Sequence, residues 1–278
     1  MTTVSVVIPT YNRSALITRA LDSVLAQTVK PHEILVVDDG STDDTASLVR
    51  KHYPAVQLIR QKNTGVSAAR NAGITAATGE WVALLDSDDA WLPRKLERQV
   101  HAVEQRGGFR LVHCDEVWIR NGVRVNPMNK HRKQGGYIFK RCLQLCCISP
   151  SAAMIHRSVF TDVGRFDAGL PACEDYDLWL RICAREPVLY VSETLVRKYG
   201  GHADQLSRKH WRMDRFRVRA LEKILATDWL SPEYRIAAEE MLVKTATILA
   251  DGAQKRGRED LVKAYRRIAD RYCVAEAG

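Results

Sequence analysis

The order of apolar and polar positions in the first hundred residues predicts an alternation of strands and helices. Val4-Ser-Val-Val-Ile-Pro9 is a β-branched run stopped by proline, which predicts a strand. Ser14 is expected to cap a helix whose apolar positions Leu16, Ile17, Ala20, Leu21, Val24 and Leu25 recur with helical period. Ile34-Leu-Val-Val37 predicts a second strand, ending in Asp38-Asp39-Gly40-Ser41. Strand, helix and strand in this span form a βαβ unit, because parallel strands need such a crossover. The pattern then repeats. A helix is expected to open at Thr42 or Asp43, with a strand over 56–59 and a helix of small residues from Val66 to Ala77. A fourth strand, buried on both faces, starts at Trp81 and runs into Asp86-Ser87-Asp88-Asp89. Pro93 suits the first turn of the helix that follows, through Leu96, Val100 and Val103.

Beyond residue 107 the pattern is mixed. Short strands are expected near 111–113, 117–119, 151–155, 188–191 and 195–199. A helix starts at Glu174-Asp175, with Leu178 and Ile182 on one face, and from Trp211 onward the chain reads as helical. The predicted fold class is α/β, a doubly wound, mostly parallel sheet flanked by helices with a C-terminal helical extension. Ligands of such sheets bind outside the carboxyl ends of the strands. Three polar turns fall there: Pro9-Thr-Tyr11-Asn12, Asp38 to Ser41, and Asp86 to Asp89.

Composition narrows the function classes. With 46% hydrophobic and 27% charged residues, the 278-residue chain matches an ordinary globular protein. No window reaches the ~18 apolar residues of a membrane span, and Met1-Thr-Thr-Val-Ser lacks a signal-like start. A cytoplasmic protein is expected, at most peripheral at the inner face of the membrane. The seven cysteines show no paired metal-ligand spacing and are expected to be buried, reduced thiols. A net charge of +9 favours anionic partners, and the acid-free stretch from Arg120 to Arg141 concentrates seven of the cations. That stretch reads either as a solvated loop or as a contact for a phosphorylated acceptor or an anionic membrane. Without interleaved aromatics or a known module, nucleic acid is not expected as a partner.

The carboxylates at 86, 88 and 89 would repel one another without a cation. Either a hard divalent ion with oxygen ligands, such as Mg²⁺, or a helix-capping turn accounts for them. There is no G-x-G-x-x-G after the first strand and no G-x-x-x-x-G-K-[ST] anywhere, so a nucleotide has to be held by side chains, a metal and a stacking aromatic.

Taken in order, P-T-Y-N-R, V-D-D-G-S-T-D, N-T-G-V-S-A-A-R-N-A-G, L-L-D-S-D-D, E-D-Y-D-L-W-L-R and Y-x-x-H-x-x-Q-x-S resemble the motifs of family 2 glycosyltransferases of the GT-A fold. The resemblance spans roughly residues 4–207. It implies a GT-A domain over 1–207, with a nucleotide-sugar-binding half (1–107) and an acceptor half (108–207), followed by a helical extension over 208–278. It further implies Mn²⁺- or Mg²⁺-dependent transfer of a sugar, with inversion, from a nucleotide diphosphate donor to a saccharide or lipid-linked acceptor in cell-surface glycan assembly.

Residue by residue, the resemblance implies that Pro9, Tyr11 and Asn12 flank the nucleoside, with Tyr11 stacked on the base. Asp39 would accept a hydrogen bond from that base, uracil in the best-matching relatives, while Asp38 would be structural. Arg70 would lie near the donor and Asp86 near the ribose or sugar. Asp88 or Asp89 would hold the metal, with Asp88 favoured, and His202 would close over it. Asp175 matches the general base, at a helix start that favours negative charge. Glu174 is either its catalytic neighbour or a capping residue, and Asp177 a solvated or structural acid. Two other readings are a sugar-nucleotide nucleotidyltransferase, which the absent glycine loop disfavours, and a non-catalytic nucleotide-sugar-binding protein, which retention of Asp175 disfavours. Trp211, Phe216 and Trp229 fit either peripheral membrane attachment or packing against the domain or a second subunit.

Overall fold

The computed structural model describes residues 2–125, 128–201 and 213–273. Strands β1 (Val4–Thr10), β2 (Glu33–Asp38), β3 (Gln57–Arg60) and β4 (Trp81–Leu84) form a parallel sheet in the order β3-β2-β1-β4. The sheet continues through β8 (Met154–His156), β6 (Leu111–Arg120), β9 (Val188–Gly200) and β5 (Ala90–Trp91). In addition, β7 (Val123–Val125) pairs with β6. Antiparallel β8 joins β4 to β6, but most paired residues sit in parallel registers, as the sequence pattern predicts.

The strands are apolar on both faces because helices cover both. Val6 and Ile8 face one cluster with Ile17, Leu21 and Val24 of α1 (Ile17–Leu25) and Leu96 of α4 (Lys95–Arg106). Val7 and Leu35 face the other, with Ile74 of α3 (Val66–Ala76). A β-carbon at Gly73 would lie 2.3 Å from Val7 Cγ1, so glycine lets α3 approach the sheet closely.

Several expected boundaries shift for identifiable reasons. Ser14 does not cap α1: Leu16 and Ile17 both donate to the Arg13 carbonyl, and the Ser14 amide instead reaches the Asp43 carboxylate at 3.1 Å. Helix α2 (Thr45–His52) starts late because Asp43 accepts from the Thr45 amide and hydroxyl, at 3.0 and 2.5 Å. Residues 150–152 form a 3-10 turn rather than the start of a strand. The pairs of short strands expected in 111–119 and 188–199 are each one continuous strand. Their parallel pairing slips between Cys114 and Glu116, where polar Asp115 interrupts the apolar run, and this irregularity makes each look like two.

The basic stretch is not simply a solvated loop. Lys133 is 7% exposed and pairs with Glu116 of β6 at 2.8 Å. Helix α5 (Phe139–Gln144) buries Phe139, Cys142 and Leu143. Helices α6 (Arg157–Val163) and α7 (Glu174–Cys183) follow β8. Then α8 (Asp214–Leu225), α9 (Pro232–Gln254) and α10 (Glu259–Tyr272) complete the described chain. Phe216, Leu221, Ala238 and Leu242 share one apolar cluster with Leu178 and Ile182 of α7, and Trp229 packs against it. Phe216 and Trp229 therefore serve packing; Trp211 and the expected boundary at 207–208 lie outside the described residues. Among the described residues no helix is long and apolar enough to cross a membrane.

Candidate active site

The three polar turns lie at the carboxyl ends of neighbouring strands, as the topology requires. Asn12, in the left-handed region at φ 51°, ties the first turn to the second. Its amide donates to Ser41 Oγ at 2.8 Å, and its Oδ1 accepts from the Thr42 amide at 2.8 Å. Beside it Pro9 is buried in β1, and Tyr11 stands 45% exposed.

The two acids ending β2 divide their work. Asp38, fully buried, accepts from Arg60 Nε at 2.9 Å and the Ser41 amide at 3.0 Å, so its place is structural. Asp39 is 3% exposed and accepts from Gln61 Nε2 at 2.7 Å, the Thr64 amide at 3.0 Å and the Gly65 amide at 2.8 Å. These bonds, with a longer one of 3.5 Å from Thr64 Oγ1, fold the 61–65 loop around its carboxyl group; three fall on Oδ1, while among the described residues Oδ2 accepts only from the Gly65 amide.

Arg70 is the connecting piece. From α3 its Nη2 donates to Asp86 Oδ1 and its Nη1 to Glu174 Oε1, both at 2.7 Å. It thereby joins the end of β4 to the start of α7. At 3% exposed it lies over the Phe166 ring, 5.1 Å from the centroid. Burial opposes its charge, but Asp86 and Glu174 outweigh that and raise its pKa. Glu174, 5% exposed, is raised by burial and by the adjacent Asp175 charge, against the pull of Arg70. The structure thus points Glu174 at Arg70 rather than into open space.

Asp88 and Asp89 have different surroundings. Asp89 is 1% exposed; its Oδ2 accepts from Ser151 Oγ at 2.6 Å and its Oδ1 from the Tyr199 amide at 2.9 Å. Burial pushes its carboxyl well above the ordinary value; Lys198 opposes this and the Asp88 and Asp86 charges add to it. Asp88 is only part-buried, and its carbonyl accepts from Arg19 Nη2 at 2.6 Å. A metal test on these donors is simple. Mg²⁺-type ions are held by one or two carboxylates plus substrate phosphates, so Asp88, with Asp86 beside it, suffices in chemistry and charge. Among the described residues no group of three or more His, Cys, Asp or Glu is gathered for a metal ion. His202 and most of its motif lie outside the described residues.

Asp175, part-buried, sits one residue into α7 after Cys173, which is in the left-handed region at φ 60°. Its Oδ1 accepts from the Tyr176 amide at 2.7 Å, and its Oδ2 from Cys146 Sγ at 3.1 Å. Cys146 is exposed as a residue, contrary to the expectation of uniformly buried thiols, as is Cys273. Its sulfur is enclosed enough that desolvation, then the Asp175 charge, hold the thiol protonated. Asp177 is buried instead of solvated, paired with Arg181 and Lys223, both at 2.7 Å.

Four contributors have no local sequence signal: Arg19, Cys146, Ser151 and Lys198. Arg19 covers the Tyr199 ring, 3.7 Å from its centroid, besides holding the Asp88 carbonyl. Ser151 also accepts from the Asp86 amide at 3.1 Å, so one hydroxyl orders both ends of the acidic turn.

Comparison with known proteins identifies relatives of the chain. The family described as glycosyl transferase family 2 matches residues 5–164. An uncharacterized glycosyltransferase of Rickettsia felis is 34% identical over 210 residues, covering 72% of this chain and 34% of that protein. The chain spans about a third of the length of the first curated relatives it matches. WfaP of Escherichia coli, named a UDP-Glc:alpha-D-GlcNAc-diphosphoundecaprenol beta-1,3-glucosyltransferase, is 31% identical over 66% of this chain and 72% of its own. The fold is that of S. aureus TarS 1-349, solved in complex with UDP-GlcNAc. The two align at a TM-score of 0.69 and 18% identity, over 97% of this chain and 91% of that one. With its family match covering more than half its length, the chain belongs to glycosyl transferase family 2.

Proposed function

We propose that the protein is an inverting, divalent-metal-dependent glycosyltransferase. It moves a sugar from a UDP-sugar to a hydroxyl of a saccharide or lipid-linked acceptor, in cell-surface glycan or glycolipid assembly. One observation carries the reading: the buried Arg70 guanidinium ties Asp86, at the donor end of the sheet, to Glu174, beside the candidate base Asp175. Two carboxylate groups from distant parts of the chain are thereby held on one guanidinium. WfaP's named UDP-Glc donor and the UDP-GlcNAc complex of TarS support a uridine donor.

In this reading Tyr11 stacks on uracil and Asp39 offers an acceptor to a ring N–H. A base lacking that donor leaves the buried acceptor poorly paired. Arg70 fixes Asp86 toward the ribose or sugar. Asp175 takes the proton of the acceptor hydroxyl as its oxygen bonds to the anomeric carbon, while the bond to the diphosphate breaks on the opposite face. The hydroxyl shares or displaces the Cys146 thiol at Oδ2. Asp88 holds the divalent ion, Mn²⁺ or Mg²⁺, which when bound supplies charge stabilisation to the departing diphosphate. Glu174 acts through Arg70 as a positioning residue, and Asp89 shapes the turn. A lipid-linked acceptor would bring the chain to a membrane surface.

The test is thermal unfolding of the purified chain with nucleotides and Mn²⁺. UDP is expected to raise the melting temperature more than GDP or dTDP at equal concentration. A larger shift with either of those would overturn the uridine assignment.

A further inference from the structure

Lys198 occupies an unusual position in β9. Its neighbour Tyr199 donates its amide to Asp89, and its own Nζ donates to Ser149 Oγ at 3.1 Å. Ser149 stands two residues before Ser151, whose hydroxyl orders Asp86 and Asp89, and three after Cys146, which reaches Asp175. The ammonium is near enough to Asp86 and Asp89 of the acidic turn, and to the candidate base Asp175, for their charges to act on it. Burial works against its charge, but the carboxylates of Glu116, Asp89, Asp86 and Asp175 outweigh that and keep it firmly protonated.

None of those four carboxylates makes an ion pair with Lys198. Of the other described cations of the wall, Arg70 pairs with Asp86 and Glu174 and Lys133 with Glu116, while Arg19 donates to the Asp88 carbonyl and lies over the Tyr199 ring. An ammonium has three donors, and a neutral serine hydroxyl uses one. Among the described residues two of its charged donors thus have no partner, on a wall that a nucleoside diphosphate, itself anionic, would have to approach past carboxylates.

We propose that Lys198 is a diphosphate-binding residue of the donor site, donating to a phosphate oxygen and anchoring the diphosphate independently of the divalent ion. This rests on the reading of the cleft as a uridine diphosphate site. It predicts that part of the diphosphate's contribution to binding survives removal of metal.

The experiment is calorimetric titration of the full chain with UDP and with uridine, in excess chelator and again with Mn²⁺. In chelator the wild-type protein is expected to bind UDP about 10-fold or more tightly than uridine. Lys198→Gln is expected to bring that ratio close to one while leaving uridine affinity unchanged, and Lys198→Arg to keep most of it. Lys198→Met serves as a second neutral variant, and unchanged uridine binding reports an intact fold. An undiminished ratio in a neutral variant that still binds uridine overturns the proposal. So does wild-type protein that binds uridine and UDP equally in chelator. Wild-type protein that binds neither with Mn²⁺ overturns the uridine reading itself, a distinguishable failure.

Discussion

Removing the Arg70 guanidinium should separate its structural role from its electrostatic one. In Arg70→Met two carboxylates lose a cation held at 2.7 Å from each, with side chains 4% exposed for Arg70, 25% for Asp86 and 6% for Glu174. At an effective dielectric of ~20 and a charge separation of ~4 Å, each pair contributes roughly 4 kcal/mol of Coulomb energy, most of it offset by desolvation. Breaking a buried pair by deleting one partner costs about 3–5 kcal/mol, because the remaining charge is uncompensated. Asp86 recovers some hydration through its exposed quarter. The cost therefore falls on Glu174, and protonation of that already raised carboxyl limits it. For a chain of this size the loss corresponds to roughly 6–20 °C in melting temperature. Arg70→Met/Glu174→Leu removes the stranded charge along with the cation and should recover much of the loss, a coupling of about 2 kcal/mol or more in a double-mutant cycle. Thermal and urea unfolding of the four proteins measure it. An Arg70→Met variant melting within a degree or two of wild type would refute the reasoning, as would strictly additive losses.

Asp88→Asn should abolish metal-dependent turnover, and full Asp88→Asn activity in chelator would sink the metal assignment; Asp89→Asn should lower the melting temperature through its bonds to Ser151 and Tyr199. Burial opposes the charge of Glu116, yet Lys133 and Lys198 outweigh it and hold its carboxyl at about 2 against an ordinary 4.5. A depressed carboxylate contributes stability above its unfolded value and loses it as pH falls toward the folded one. Chemical unfolding should therefore show the wild-type advantage over Glu116→Gln, on the order of 3 kcal/mol at neutral pH, shrinking between pH 4.5 and 2. A constant gap would contradict this. Gly73→Val should destabilise by about 3 kcal/mol or more in the same assay, because even a β-carbon collides with Val7, and an unchanged midpoint would refute the close helix–sheet contact.

What was legible in the sequence is what local pattern encodes. The uninterrupted apolar run from Trp81 made β4 readable as buried on both faces, with Val82 and Leu84 on one side and Trp81 and Ala83 on the other. The polar turns were legible because topology places strand ends together. What was not legible depends on long-range pairing. Asp88 and Asp89 are adjacent in sequence, and only the pairing of Ala90–Trp91 with Val196–Arg197 draws Asp89 to the Tyr199 amide. Glu174 and Asp175 likewise differ only because Arg70 reaches across from α3. Cys146, Ser151 and Lys198 belong to segments whose register with the acidic turn no periodicity reveals. The irregularity near Asp115 also hid two continuous strands as four short ones.

The central claim is that this cleft transfers a sugar from a UDP-sugar using Asp175 as base. Its most direct test is release of the nucleotide from a panel of UDP-, GDP-, dTDP- and CMP-linked sugars with Mn²⁺, measured for wild type and Asp175→Asn together with UDP affinity. The account predicts release from at least one UDP-sugar by wild type, and a loss of about 10²–10⁴-fold in Asp175→Asn at unchanged UDP affinity. Equal turnover in the two proteins, or consumption only of donors carrying another nucleotide, would contradict it.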